Sequence, residues 1–183
     1  MLITTKQSQE IWLNTGYNLF AHEGPAGLKV EVIARVVQKS KSSFYHHFAD
    51  LEVFTGLLLD RHLHRSEELA IKERQCQVID PELIDLMLAY KVDLLFNRQL
   101  RVYRDNPAFH DCLERSNRMV EAAFLDLWVR DLGLQNKPTL ARQLYEHSLD
   151  NFYLCITEQN LNKTWLTQYF EQINTLVAHI KQP

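Results

Sequence analysis

The chain has 183 residues, of which 46% are hydrophobic and 23% charged; this is globular composition, enough for one sizeable core or two small helical units, and it excludes a disordered or fibrous class. A formal net charge of −3 excludes a general nucleic-acid coat, so any contact with nucleic acid has to be local. Uncharged stretches such as Val53 to Leu59 are too short to span a bilayer, and Cys76, Cys112 and Cys155 stand singly, without the paired spacing of a structural zinc or a disulfide framework.

The first residues lack the charged, apolar and small-residue succession of a signal peptide, so a reducing cytoplasm and no membrane partner are expected. Trp12, Leu13, Gly16, Leu19 and Phe20 recur at helical spacing and predict a helix near 5–23, ended by Gly24-Pro25-Ala26-Gly27. Two short helices follow, near 29–37 and 40–47. Leu28 to Val32 alternates like a strand, yet Val30, Ile33, Ala34 and Val37 also mark one helix face. Nothing else resembles a strand partner, and a lone strand leaves its backbone unsatisfied, so helix is preferred.

A long helix is predicted near 50–75, then others near 81–104, 107–132, 138–160 and 162–181, giving an all-α chain. Asp80-Pro81 and Asn106-Pro107 each place a capping side chain before a proline at a first helical position. Gly133 to Pro138 marks another break. The stretch Leu83 to Phe96 is apolar on nearly every side, with few charges, Lys91 and Asp93 among them, which predicts a helix touched all round.

The informative segment is Ile33 to Phe48. A short amphipathic helix ends near Gln38, and Ser40 can cap the next one. Ala34 is small where two steeply crossed helices need close approach, and Phe44 and Phe48 fall four apart to plug the second helix into a core. Lys39, Lys41, Ser42, Ser43 and His46 are left outside, and no acidic residue occurs from Arg35 through Ala49. Donors at the start and outer face, without a carboxylate to repel phosphates, are what a recognition helix needs. On these residues alone, a solvated face with chance lysines reads equally well.

Trp12-Leu13, Leu19-Phe20, Gly24, Ile33-Ala34, Ser40 and then Phe44-Tyr45-His46-His47-Phe48 together resemble the signature of the TetR/AcrR family of transcriptional regulators, over roughly the first 60 residues. The resemblance implies a three-helix helix-turn-helix domain over 1–49 and a helical ligand-binding and dimerisation domain over 50–183, joined by the helix near 50–75. It implies that Ser40 to His47 is the recognition helix and that Tyr45 and His47 touch the phosphate backbone. With Lys29, Lys39, Ser40, Lys41, Ser42, Ser43 and His46, these make up the expected DNA-binding set. The sequence departs from the family at four places: Gln38 replaces the tight-turn glycine, Lys39 a valine, Leu28-Lys29 a threonine pair, and Leu51 a phosphate-directed lysine. The last change should weaken operator affinity and flatten its salt dependence, with Lys29 and Lys39 placed to compensate.

Beyond residue 60 the resemblance narrows to the helix end and Asn-Pro turn of Leu95 to Pro107. Two C-terminal helices per protomer form a four-helix dimer bundle in the family, which makes Leu149, Phe152, Ile156, Trp165, Tyr169 and Ile173 the expected interface. Burial of the same stripes, which continue through Val177 to Ile180, within the chain itself is the plainer alternative. A small-molecule inducer is expected among the helices near 81–160, at Tyr90, Leu94, Arg98, Met119, Tyr145 and Phe152. Surface or satisfied core polar groups are the plainer reading of each polar residue. The expected activity is that of a homodimeric repressor on a near-palindromic operator, released by that inducer; a TetR-like protein without DNA binding, acting through protein partners, is the alternative. No enzyme activity, cofactor or metal is expected, since His62 and His64 are two apart on a helix and no phosphate loop, Glu-x-x-His or nucleophile elbow occurs.

Overall fold

A computed structural model describes residues 5–181, with side chains described for 6–179. The fold is all-α, and among the described residues there is no strand. The helices are α1 (Thr5–Glu23), α2 (Val30–Val37), α3 (Lys41–His47), α4 (Leu51–Glu73), α5 (Ile84–Ala89), α6 (Lys91–Val102), α7 (Pro107–Asp131), α8 (Pro138–Cys155) and α9 (Lys163–Lys181). The ambiguous Leu28–Val32 stretch enters α2, whose Val30, Ile33 and Ala34 are buried.

Two caps behave as their side chains dictate. Ser40 Oγ accepts the Ser43 N–H at 3.2 Å, and Asn106 Oδ1 accepts the Ala108 N–H at 2.9 Å, ahead of Pro107 at the first position of α7. Asp80 departs from expectation. Its backbone is extended, its carboxylate accepts the Thr167 hydroxyl at 2.7 Å, and a single π-turn, Ile79–Leu83, leads into α5.

The single helix expected over 81–104 is broken at Tyr90, whose φ of −105° and ψ of 24° end α5. The cause is tertiary. Tyr90 is buried with the Lys72 ammonium 5.1 Å from its ring centre, and the Lys91 ammonium donates to the Glu158 carbonyl. No glycine or proline announces the break.

The chain divides into two compact units, one made of 1–65 and 92–116, the other of 66–91 and 117–183. These follow compactness, and they differ from the functional boundary expected between 49 and 50. In the first unit, α3 is bound to α1 and α4 through an aromatic core. Phe44 meets Trp12 at 5.5 Å and Phe54 at 5.2 Å between ring centres, and Phe48 meets Phe54 at 4.8 Å. Gly16 is required by close approach, since a Cβ there would lie 2.4 Å from the Phe54 ring. Phe96 of α6 stacks on Tyr17 at 4.3 Å, so α6 is buried as its apolar sequence predicts.

In the second unit the stripes of α8 and α9 bury against their own chain. Trp128, Tyr145 and Phe170 form one cluster, with Trp128 6.3 Å from Tyr145 and 6.4 Å from Phe170 between ring centres. Phe152, Trp165 and Tyr169 form a second, with 5.9 Å between Phe152 and Trp165. The side chain of Ile180, the last of the expected stripe, lies outside the described residues.

Candidate nucleic-acid interface

The candidate surface is α3 with the turn before it. Phe44 and Phe48 are buried and hold α3 by its inner side. That leaves Lys39, Ser40, Lys41, Ser42, Tyr45 and His46 exposed, while Ser43 and His47 are half-buried. Lys29, the extended residue that precedes α2, is exposed as well. The turn into α3 is made at Gln38, whose φ of 58° and ψ of 42° put it in the left-handed region where the family has glycine. Its N–H and that of Lys39 donate to the last carbonyls of α2, at 3.2 Å to Arg35 and 2.9 Å to Ala34.

Two contacts change the chemistry expected of this surface. The Lys41 ammonium donates to Glu31 Oε1 at 2.6 Å, with both side chains more than half exposed. That hydrogen bond, with a backbone N–H bond and the lysine's charge, holds the Glu31 carboxyl below the usual range. A carboxylate therefore stands on the candidate surface although the segment from Arg35 to Ala49 has none. His47 Nε2 lies 3.1 Å from the Ser8 hydroxyl of α1. Partial burial, then the neighbouring His46, lower its pKa, so His47 is a neutral anchor to α1 near pH 7.

Glu31 and Ser8 are residues that sequence reasoning missed, and Arg35 and Val36, exposed on α2 beside this turn, are two more. Helical spacing from Ile33 and Ala34, which are buried, was the available signal for the outward pair.

Elsewhere within the first unit lies a buried polar cluster. The Tyr17 hydroxyl donates to Asp93 Oδ1 at 2.7 Å and lies 2.8 Å from His62 Nδ1, so the imidazole carries its proton on Nδ1 and donates to Tyr17. Arg65 closes on both Asp93 oxygens, with Nη2 to Oδ2 at 2.7 Å. Burial pushes the His62 imidazole down to about 4, although the Asp93 charge acts the other way.

The residues expected around an inducer divide between the units: Leu94 and Arg98 lie in the first, and Tyr90, Met119, Tyr145 and Phe152 in the second. Tyr90, Leu94, Tyr145 and Phe152 are buried; Arg98 and Met119 are half-buried. Of the expected interface, Ile156 is wholly buried as α8 ends and Phe152 nearly so, so neither presents a surface to a second copy. Leu149, Trp165, Tyr169 and Ile173 are half-buried, and Leu154 and Leu176 stand out at 64% and 56% exposure.

Among the described residues there is no grouping of His, Cys, Asp and Glu able to hold a metal ion, and no helix is long and apolar enough to cross a membrane. No family model matches the sequence, and no curated protein matches it. A solved structure does match: one assigned to the TetR family of transcriptional regulators, from Mesorhizobium loti MAFF303099, at 17% identity, a TM-score of 0.58 and 96% coverage of each chain. Among the described residues, nine α-helices in this order, with a Ser40-capped α3 turned outward from an aromatic core, give the chain the fold of a TetR-family transcriptional regulator.

Proposed function

We propose that the chain is a DNA-binding transcriptional regulator, a homodimeric repressor on a near-palindromic operator that a small-molecule inducer releases. Residues 1–49 read the DNA, and 50–183 carry the inducer and the dimer contacts. The observation that carries this reading is the outward face of α3, where Lys39, Lys41, Ser42, Tyr45 and His46 are exposed on a helix locked from behind by Phe44 and Phe48. A helix so held presents side-chain donors to base edges and phosphates without moving its backbone. No enzymatic activity is proposed, and the protein is expected to work in the cytoplasm.

Fluorescence anisotropy with duplex from upstream of the chain's own coding sequence tests this. Lys39, Lys41 and His46 changed together to alanine should weaken binding at least tenfold, because each lost phosphate or base contact is worth about 1 kcal/mol or more. Equal binding by the triple variant would sink the assignment of α3. The Glu31–Lys41 pair, together with Leu51 in place of a lysine, favours one second reading: a TetR-like protein acting on protein partners. Absence of duplex binding by the wild type would select it.

A further inference from the structure

In the second unit, where α4 ends, a cleft of about 660 Å³ opens beside Glu73, with Arg74, Ala123, Asp126, Leu127 and Arg130 among its walls. Glu73 is 5% exposed, and its Oε2 is buried with no hydrogen-bond partner among the described residues. Burial raises the carboxyl to about 8, and the nearby Arg74 guanidinium offsets only part of that. The carboxyl also sits in the last turn of α4, where the helix dipole is negative and disfavours a second negative charge. An unpaired acid in a cleft of this size lacks one thing, a cationic donor. The fixed charges do not supply it: Arg74 and Arg130 are exposed and neither bonds Glu73 Oε2, and Asp126 adds another carboxylate. A volume of this order accepts a drug-sized molecule, and Ala123 and Leu127 offer it apolar wall.

We propose that this cleft binds a small organic amine, whose ammonium donates to Glu73 Oε2 while its apolar body lies along Ala123 and Leu127. This deepens the regulatory reading, on which it rests only for making the cleft an effector site. None of the side chains expected from sequence to hold an inducer lines it. An ammonium entering at pH 7 displaces the Glu73 proton, so binding releases roughly one proton to the buffer.

Calorimetric titration of the full chain with 4-phenylbutylamine and with 4-phenylbutan-1-ol separates charge from shape. The amine should bind at least tenfold more tightly than the alcohol, as a charge-assisted hydrogen bond predicts. Its apparent enthalpy should differ between phosphate and Tris buffers by the released proton. Glu73→Gln should bind the two probes alike and release no proton. Should that variant fail to fold, Ala122→Phe, at an exposed position on the cleft wall, should block both probes in a chain with unchanged circular dichroism. Equal affinity for amine and alcohol, no binding of either at millimolar concentration, or an amine preference that survives Glu73→Gln or Ala122→Phe would overturn the proposal. The titration contains no DNA. A chain that binds duplex but not the amine loses this inference alone, and one that binds the amine but no duplex loses the regulatory reading alone.

Discussion

Lys41 is held by Glu31 at 2.6 Å on the surface proposed to meet DNA, so a phosphate has to compete with a carboxylate for its ammonium. Exposed ion pairs are weak, which keeps the exchange open. Glu31→Gln removes both the competitor and a repulsive charge. Operator affinity should rise about three- to tenfold near 0.1 M salt, and the slope of log affinity against log salt should steepen by roughly one. Unchanged affinity and slope in an anisotropy titration would show that Lys41 does not reach phosphate. This pair was hidden in the sequence because Glu31 stands on the helix before, ten residues from Lys41, and only the packing of α2 on α3 brings them together. Ser8 and His47 were hidden in the same way, with α1 and α3 far apart in the chain. The lysines, hydroxyls and aromatics of α3 were legible, since one short helix shows its outward side in its own spacing.

The helix-turn-helix was legible at the level of elements because its signals are local: a cap at Ser40, two phenylalanines four apart, and a glycine break after α1. Gln38 was legible as a departure, and its left-handed backbone shows that the turn forms without glycine, at a cost of about 1 kcal/mol. The break between α5 and α6 was not legible, since tertiary contacts at Tyr90 and Lys91 produce it. Nor was the cluster that ties α1, α4 and α6 through Tyr17, His62 and Asp93, because residues from three distant helices compose it. That cluster has a pH signature. The folded imidazole titrates near 4 against about 6.5 when unfolded, so the unfolded chain takes up the proton first as pH falls. Stability from a neutral His62 is therefore full above pH 6.5 and is lost towards pH 4, by on the order of 3 kcal/mol. Glu73 acts in the opposite sense, losing stability as pH rises from 4.5 towards 8. A difference against His62→Gln cancels it. The stability advantage of wild type over His62→Gln in urea melts should shrink by about that amount between pH 6.5 and 4. A difference that does not change with pH would contradict the buried neutral imidazole.

For the whole molecule, the apolar stripes of α8 and α9 were legible, but their destination was not: hydrophobic spacing says that a face is buried, not by which chain. Phe152 and Ile156 are buried within their own chain, which leaves the exposed Leu154 and Leu176 and the half-buried Leu149, Trp165, Tyr169 and Ile173 for a partner. A stable dimer needs roughly 1,200–2,000 Å² of buried surface. Sedimentation should give a dimer at micromolar concentration, and Leu154→Glu with Leu176→Glu should give a folded monomer; a monomeric wild type would remove the two-fold symmetry on which a palindromic operator depends. The resemblance in sequence covers the first 60 residues, and the likeness to a solved regulator fold covers 96% of the chain at 17% identity, so function rests on what α3 does. The most direct measurement is the anisotropy titration of wild type and the Lys39/Lys41/His46 triple alanine variant on upstream duplex across a salt series. Tight wild-type binding that falls steeply with salt, against weak binding with a shallower slope for the variant, is the predicted result. Coincident curves for the two proteins, or no wild-type binding at low salt, would contradict it.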